Sequence, residues 1–252
     1  MKDNFSAQAN LYAKFRPEYP SVLYDFILKN TENREIVWDC ATGNGQAAKV
    51  LARHFEKVYA TDISQKQIDN AAQADNIEYS ISPAEKTPFE DNTFDLIAVA
   101  QAVHWFDLDK FYTEAQRVAK PNATLAIWGY GTLSVDNENV DKLLQNFYWN
   151  IVGNYWDFER RHIDSHYETL PFPFKNVENQ NFSMVFNWHR HELEGYLNTW
   201  SSIQNFMNTE GYNPISNLML DISAYWNEFE RMTVQFPIFL KLSKIKHSLP
   251  CA

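Results

Sequence analysis

The chain has 252 residues with 45% apolar and 21% charged side chains, enough to bury a full core as one large domain, with or without an insertion. Its formal net charge of −10 gives no basic footprint for a nucleic-acid partner. Two cysteines, Cys40 and Cys251, make neither a disulfide framework nor a metal cluster, and no stretch approaches a membrane span or an export signal, so the expectation is a cytoplasmic protein without a membrane partner.

In chain order, residues 21–30 have apolar positions at helical spacing after Pro20, with Ser21 as the expected cap. Residues 36–40 (IVWDC) form a short apolar strand that enters the glycine-containing loop ATGNG. A small-residue helix is expected over 46–54, a strand over 57–61 ending at Asp62, a helix over 64–74 and a third strand over 76–81. Residues 94–100 (FDLIAVA) are apolar on both faces, as a buried parallel strand requires. An amphipathic helix over 107–119 and a strand over 123–130 follow. Strands alternating with helices at this spacing predict a parallel sheet covered on both faces.

After Gly131 the pattern changes. One long helix is expected over 136–152, an aromatic irregular stretch over 153–181, a strand over 182–188, and helices over 193–206 and 215–229. A last strand runs through VQFPIFLKL, where Pro237 predicts an edge or a bulge. The expected organisation is a cofactor-binding core over 1–133, a mostly helical, aromatic-rich cap over 134–231 with one returning strand, and a final core strand and tail over 232–252.

The chemistry concentrates in Asp39-Cys-Ala-Thr-Gly43-Asn-Gly45, between a strand and a helix. Gly43 and Gly45 let the backbone turn tightly and approach a ligand. Asp39 puts a carboxylate beside the loop, where it can attract an ammonium. Asp62, at the end of the next strand, can accept hydrogen bonds from both hydroxyls of a ribose or can serve as a capping turn. Gly43-x-Gly45-x-x-Ala48 also fits a dinucleotide fingerprint, but Asp39 would then oppose a pyrophosphate, whereas a sulfonium ligand meets no such conflict. His189 and His191 share a strand face without an evident third ligand, so no metal is expected.

DCATGNGQAA, VYATDIS, AEKTPF, FDLIAVAQAVHWFD and YAKFRPEYP together resemble class I S-adenosylmethionine-dependent methyltransferases of the type 11 kind, particularly the trans-aconitate methyltransferase branch. The resemblance implies a Rossmann-like α/β fold of seven strands, the last antiparallel, with S-adenosylmethionine across the carboxyl ends of the first strands. It puts Asp39, Ala41, Gly43 and Gly45 around the methionine moiety, Asp62 and Ile63 at ribose and adenine, and Ala84 and Glu85 beside the adenine. Gln101 comes near the reacting centre, with His104 and Trp105 beyond it as orienting residues or, for His104, a base. Tyr12 and Arg16 would belong to a lid over the cofactor. The family commonly has glycine where Ala41 stands, a departure that matters if φ there is positive.

The insertion is expected to supply the pocket for a small-molecule acceptor, with Trp149, Tyr167 and Trp200 among its aromatic residues and Arg160 and Arg161 as candidates for gripping a carboxylate. Each of these has a packing or surface role as its alternative. The reading is methyl transfer to a small molecule, with O-methylation of a carboxylic acid as the specific form. A catalytically silent S-adenosylmethionine-binding domain and an NAD-dependent oxidoreductase stand as alternatives.

Overall fold

The computed structural model describes residues 15–245. Helix α1 (Ser21–Lys29) leads into β1 (Ile36–Cys40), α2 (Gln46–Leu51), β2 (Lys57–Asp62), α3 (Gln65–Asp69), β3 (Ile77–Ile81) and β4 (Phe94–Ala100). After a 3-10 turn at Val103–Trp105 come α4 (Leu108–Val118), β5 (Ala119–Tyr130), the two-residue β6 (Ser134–Val135) and α5 (Glu138–Asn146). Beyond α5 lie the short helix α6 (Arg161–Asp164), β7 (Glu178–His189), α7 (Arg190–Leu197), α8 (Ser201–Glu210), α9 (Ile215–Ile222) and β8 (Arg231–Lys244).

The sheet order is β3-β2-β1-β4-β5-β8, with β7 completing it along the outer side of β8 and β6 a short bridge onto the start of β8. The first five strands are parallel, and β8 is antiparallel to both β5 and β7. This is the expected α/β sheet with an antiparallel last strand, plus the short β6. The order reverses between β1 and β4, which opens a crevice at their carboxyl ends. Asp95 on β4 locks the opposite end, accepting hydrogen bonds from the amides of Glu35 and Ile36 at 3.1 and 2.9 Å and pairing with Lys120.

Several local expectations are revised. Pro20, not Ser21, occupies the cap position of α1, and Ser21 is its first helical residue. The run after Gly131 is α5 continued by a π turn over Phe147–Ile151, and the expected helix over 193–206 is two helices. Trp200 is extended between them, and the Thr199 hydroxyl bonds back to the Tyr196 carbonyl at 2.6 Å, so polar satisfaction ends α7 where the apolar spacing alone would continue it. Pro237 is interior to the sheet, between β5 and β7. Its carbonyl accepts from Gly131 at 2.9 Å, so its ring nitrogen faces the gap between the end of β5 and β6, where no ladder donor is needed.

One face of the sheet packs on α1 and α2 and on the inserted helices, through Leu23, Trp128, Leu193, Ile203, Trp226 and Phe236. The other packs on α4 and the segment around Tyr167, through Trp38, Phe94, Phe111 and Ile127. The insertion thus shares its apolar core with the sheet rather than building a separate one. No helix among the described residues is long and apolar enough to cross a membrane, and none of their His, Cys, Asp and Glu residues group as a metal site.

Candidate active site

The loop after β1 shapes the site. Thr42 donates its amide to Thr61 at 2.9 Å, and Gly45 donates to Thr42 at 3.0 Å, folding the loop back on β2. Three of its residues have left-handed backbone: Ala41 (φ 57), Gly43 (φ 56) and Gly45 (φ 76). The two glycines differ in purpose. A Cβ on Gly43 would meet only the Gln67 side chain at 4.0 Å, so the backbone there is open to the cavity. A Cβ on Gly45 would lie 2.3 Å from the Tyr79 hydroxyl, so that glycine serves packing.

Asp62 ties this loop to the end of β2. One carboxylate oxygen accepts from the Gly43 amide and the other from the Ser64 amide, both at 2.9 Å. Asp62 also lines the cavity, where its carboxylate can accept hydrogen bonds from hydroxyl donors. Ser64 caps α3, so the capping turn and the acidic strand end coexist.

Asp39 is fully buried behind the loop and does not line the cavity. Its Oδ2 accepts from the Thr42 hydroxyl at 2.5 Å, and its Oδ1 is buried without a hydrogen bond among the described residues. Burial raises its pKa to about 7 against the pull of the Thr42 hydroxyl and the nearby Ala48 amide, and Asp62 adds to the rise.

Ten of the expected residues line one cavity: Arg16, Ala41, Gly43, Asp62, Ile63, Gln101, His104, Trp105, Arg160 and Trp200. Arg16 bonds to the Tyr130 hydroxyl and to the Thr199 carbonyl at 3.4 Å, linking the N-terminal arm to core and cap. Tyr12 lies outside the described residues.

The other expected residues are not brought to the cavity wall. Gly45 and Ala84 are buried behind it, and Glu85 accepts from the Asp107 amide at 3.0 Å. Trp149 is 57% exposed on the far side of its helical turn. Arg161 is exposed, its guanidinium 3.4 Å from the Phe158 ring centre. Tyr167 is buried one layer back and reaches the site through His104.

Arg160 is the inserted segment's contribution. Its guanidinium lies over Trp156 at 4.7 Å and Tyr148 at 5.6 Å, and its Nε donates to the Tyr148 hydroxyl at 2.9 Å. Asp164 is 3.6 Å from Nε and bonds the same hydroxyl. The two terminal nitrogens make no hydrogen bond within the described residues, although the side chain is largely buried.

Tyr130 and Trp156 also line the cavity. Tyr130 was not among the expected site residues, and its position at the carboxyl end of a parallel strand was its signal. Trp156 belongs to the aromatic residues with which the insertion was expected to build a pocket.

A reversed-order α/β sheet, with a glycine loop and an acidic strand end facing one crevice, defines an enzyme that binds a nucleotide-like cofactor. Residues 38–127 match the family described as the methyltransferase domain. A protein of Dictyostelium discoideum provisionally named a methyltransferase is 34% identical over 249 residues, covering 96% of this chain and 95% of that one. An uncharacterised methyltransferase of Mycobacterium tuberculosis is 30% identical over 181 residues, covering 71% and 68%. The structure of a provisionally named type II methyltransferase from Anaeromyxobacter dehalogenans superposes with a TM-score of 0.86 at 34% identity, covering 93% of this chain and all of that one.

The chain belongs to the class I S-adenosylmethionine-dependent methyltransferases, and S-adenosylmethionine is its cofactor. The residues present fit that group: an open backbone at Gly43, a carboxylate lining the cavity at Asp62, and a buried oxygen at Asp39 that has no hydrogen bond among the described residues and favours a cation.

Proposed function

We propose that the enzyme methylates a small anionic molecule, in the specific form of a carboxylate oxygen. The observation that carries this reading is Arg160. Its stem is braced by Tyr148 and its face by Trp156, while its terminal N–H groups have no hydrogen-bond partner among the described residues in the wall of the cavity. A guanidinium held this way can grip a carboxylate with two parallel hydrogen bonds. Arg161, on the surface, is left out of this role.

In this reading Asp62 takes the ribose hydroxyls, Gly43 and Ala41 border the methionine moiety, and Asp39 acts on its ammonium from behind the loop. Ile63 borders the adenine, and Arg16 closes the arm over the site. Trp105 and Trp200 complete the apolar walls, which keep water from the reacting atoms. As the bond from the acceptor oxygen to the cofactor's methyl carbon forms, the carbon–sulfur bond breaks and its electron pair stays on sulfur. An ionised carboxylate has no proton to lose, so the protein's task is alignment and exclusion of water. The acidic surface is unsuited to nucleic acid, which supports a small acceptor in a cytoplasmic setting.

The test is a screen for S-adenosylhomocysteine release with small carboxylic acids, phenols and amines. An acid should be turned over, and Arg160→Lys should lower kcat/KM for it about 10- to 100-fold, as loss of charge-assisted hydrogen bonds does, while Arg161→Ala leaves it unchanged. Turnover of amines or phenols with none of any acid would overturn the carboxylate reading.

A further inference from the structure

His104 sits in the 3-10 turn after β4 and lines the same cavity as Arg160, whose own 3-10 turn packs against it. Nδ1 is 3.0 Å from the Tyr167 hydroxyl, whereas Nε2 makes no hydrogen bond within the described residues. Tyr167 is only 1% exposed, and among the described residues that ring nitrogen is the one hydrogen-bond partner of its hydroxyl. A buried hydroxyl that donates to nothing is costly, so the hydrogen points to Nδ1, which must then carry a lone pair. Neutral imidazole has one protonated nitrogen, and here it is Nε2.

The backbone is bent to achieve this contact. His166 (φ 51) and Tyr167 (φ 58) are consecutive left-handed residues, neither of them glycine, a pairing that L-residues resist. The bend is held by the Tyr167 amide donating to the His162 carbonyl at 2.7 Å and by the His166 ring stacked on Phe239 at 5.0 Å. The Tyr167 ring packs edge-on to the same Phe239.

We infer that Tyr167 is a positioning residue that fixes His104 as the Nε2–H tautomer, so that His104 donates a hydrogen bond to the methyl acceptor and does not deprotonate it. This rests on the cavity being the acceptor site. The donor holds the carboxylate oxygen that is not methylated, so that beside the Arg160 grip the other oxygen keeps one lone pair free for the methyl carbon. Arg160 and His104 then select together for an acceptor that arrives as an anion, because a phenol or ammonium would find no base. Burial, with the charges of Arg160 and His162, lowers the His104 pKa to about 3, so the ring stays neutral while it does this.

Nitrogen NMR of the full-length enzyme labelled at histidine tests the tautomer, with His104→Gln assigning one signal pair among the seven histidines. From about pH 6 to 8, Nε2 should appear protonated and Nδ1 unprotonated, and Tyr167→Phe should convert this to a mixture of tautomers. An unprotonated Nε2 in the wild type overturns the inference, whether or not Tyr167→Phe folds. With an acid found by the screen, His104→Gln keeps a donor and should hold KM within about threefold, whereas His104→Leu should raise it about tenfold. A loss of about 100-fold in kcat for His104→Gln at unchanged KM would instead reveal a base. If no acid is turned over, the acceptor class fails while the tautomer is still read from the free enzyme.

Discussion

The side-chain amide of Gln101 pairs with the backbone of Tyr130 as a further strand residue would. The Tyr130 amide donates to Oε1 at 2.7 Å, and Nε2 donates to the Tyr130 carbonyl at 3.2 Å. The backbone cannot make this pairing, because at Gln101 it has turned into the left-handed region with φ 55 after its own amide bonds Trp128 at 2.8 Å. The substitution lets β4 end and the chain turn towards His104 while β5 stays registered as far as Tyr130.

Gln101→Ala should therefore loosen the part of the cavity wall that Gln101 and Tyr130 build. Two lost hydrogen bonds, one leaving a backbone amide unpaired, cost about 2 kcal/mol and should lower Tm by roughly 4–8 °C in a domain of this size. Gln101→Glu keeps the acceptor for the Tyr130 amide but sets a carboxylate oxygen against the Tyr130 carbonyl, so it should be no better. Thermal melts together with cofactor titration decide the matter. A melt within about 1 °C of the wild type for both variants would leave the pairing without structural weight.

Ala41 and Gly45 invert the usual expectation for alanine and glycine. Ala41 carries a left-handed backbone that costs an L-residue about 1–2 kcal/mol, while glycine costs about 0.5–1 kcal/mol through the unfolded chain. Ala41→Gly should accordingly be neutral or stabilising by up to about 1 kcal/mol, where alanine-to-glycine changes elsewhere destabilise. Gly45→Ala faces both the unfavourable φ and the Tyr79 hydroxyl, which already bonds the Ala72 carbonyl at 2.5 Å and has little room to move. A loss of about 2–4 kcal/mol in urea unfolding is expected. A neutral Gly45→Ala would show that the loop shifts as a unit.

Where local chemistry decided the structure, it could be read in the residues. The glycine loop, the acid at the end of β2 and the alternation of strand and helix are each written in a few adjacent residues, and they set the core side of the cavity. The side lined by the insertion depends on long-range packing. Arg160 and Arg161 are equivalent on paper, and only the change from 3-10 to α-helix between them turns one inward and one out. Tyr167 and His104 are 63 positions apart, and their contact depends on a strained turn that no local propensity favours. Trp149 and Trp156 are likewise separated by the π turn and the 3-10 turn at Gly153–Tyr155, which leave the first exposed and the second over Arg160. Asp39 was legible as an acid at the start of the glycine loop, but not its depth behind that loop.

That depth gives Asp39 a dependence on pH that can be measured. Its pKa rises from an ordinary 3.8 to about 7 in the folded protein, chiefly through burial. The folded state therefore keeps the proton where the unfolded chain has already released it. Stability contributed by Asp39 is fully present below about pH 4 and is lost as pH rises to about 7, by an amount on the order of 4 kcal/mol at most. His104 runs the other way. Its pKa falls from 6.5 to about 3, so its contribution is present above pH 6.5 and lost as pH drops towards 3. The two windows overlap, and the wild-type curve alone will look flat. The difference between the wild type and Asp39→Asn isolates the first, because asparagine does not titrate. Denaturant unfolding of the cofactor-free enzyme should show Asp39→Asn gaining on the wild type steadily from about pH 5 to 7.5. The cofactor's ammonium should reverse the ranking by stabilising the ionised carboxylate. S-adenosylmethionine should then raise the wild-type Tm more at about pH 7.5 than at pH 6, and raise that of Asp39→Asn equally at both. Parallel curves for the two proteins across the range would mean that Asp39 is ionised throughout, and would remove it as the origin of any pH dependence in cofactor binding.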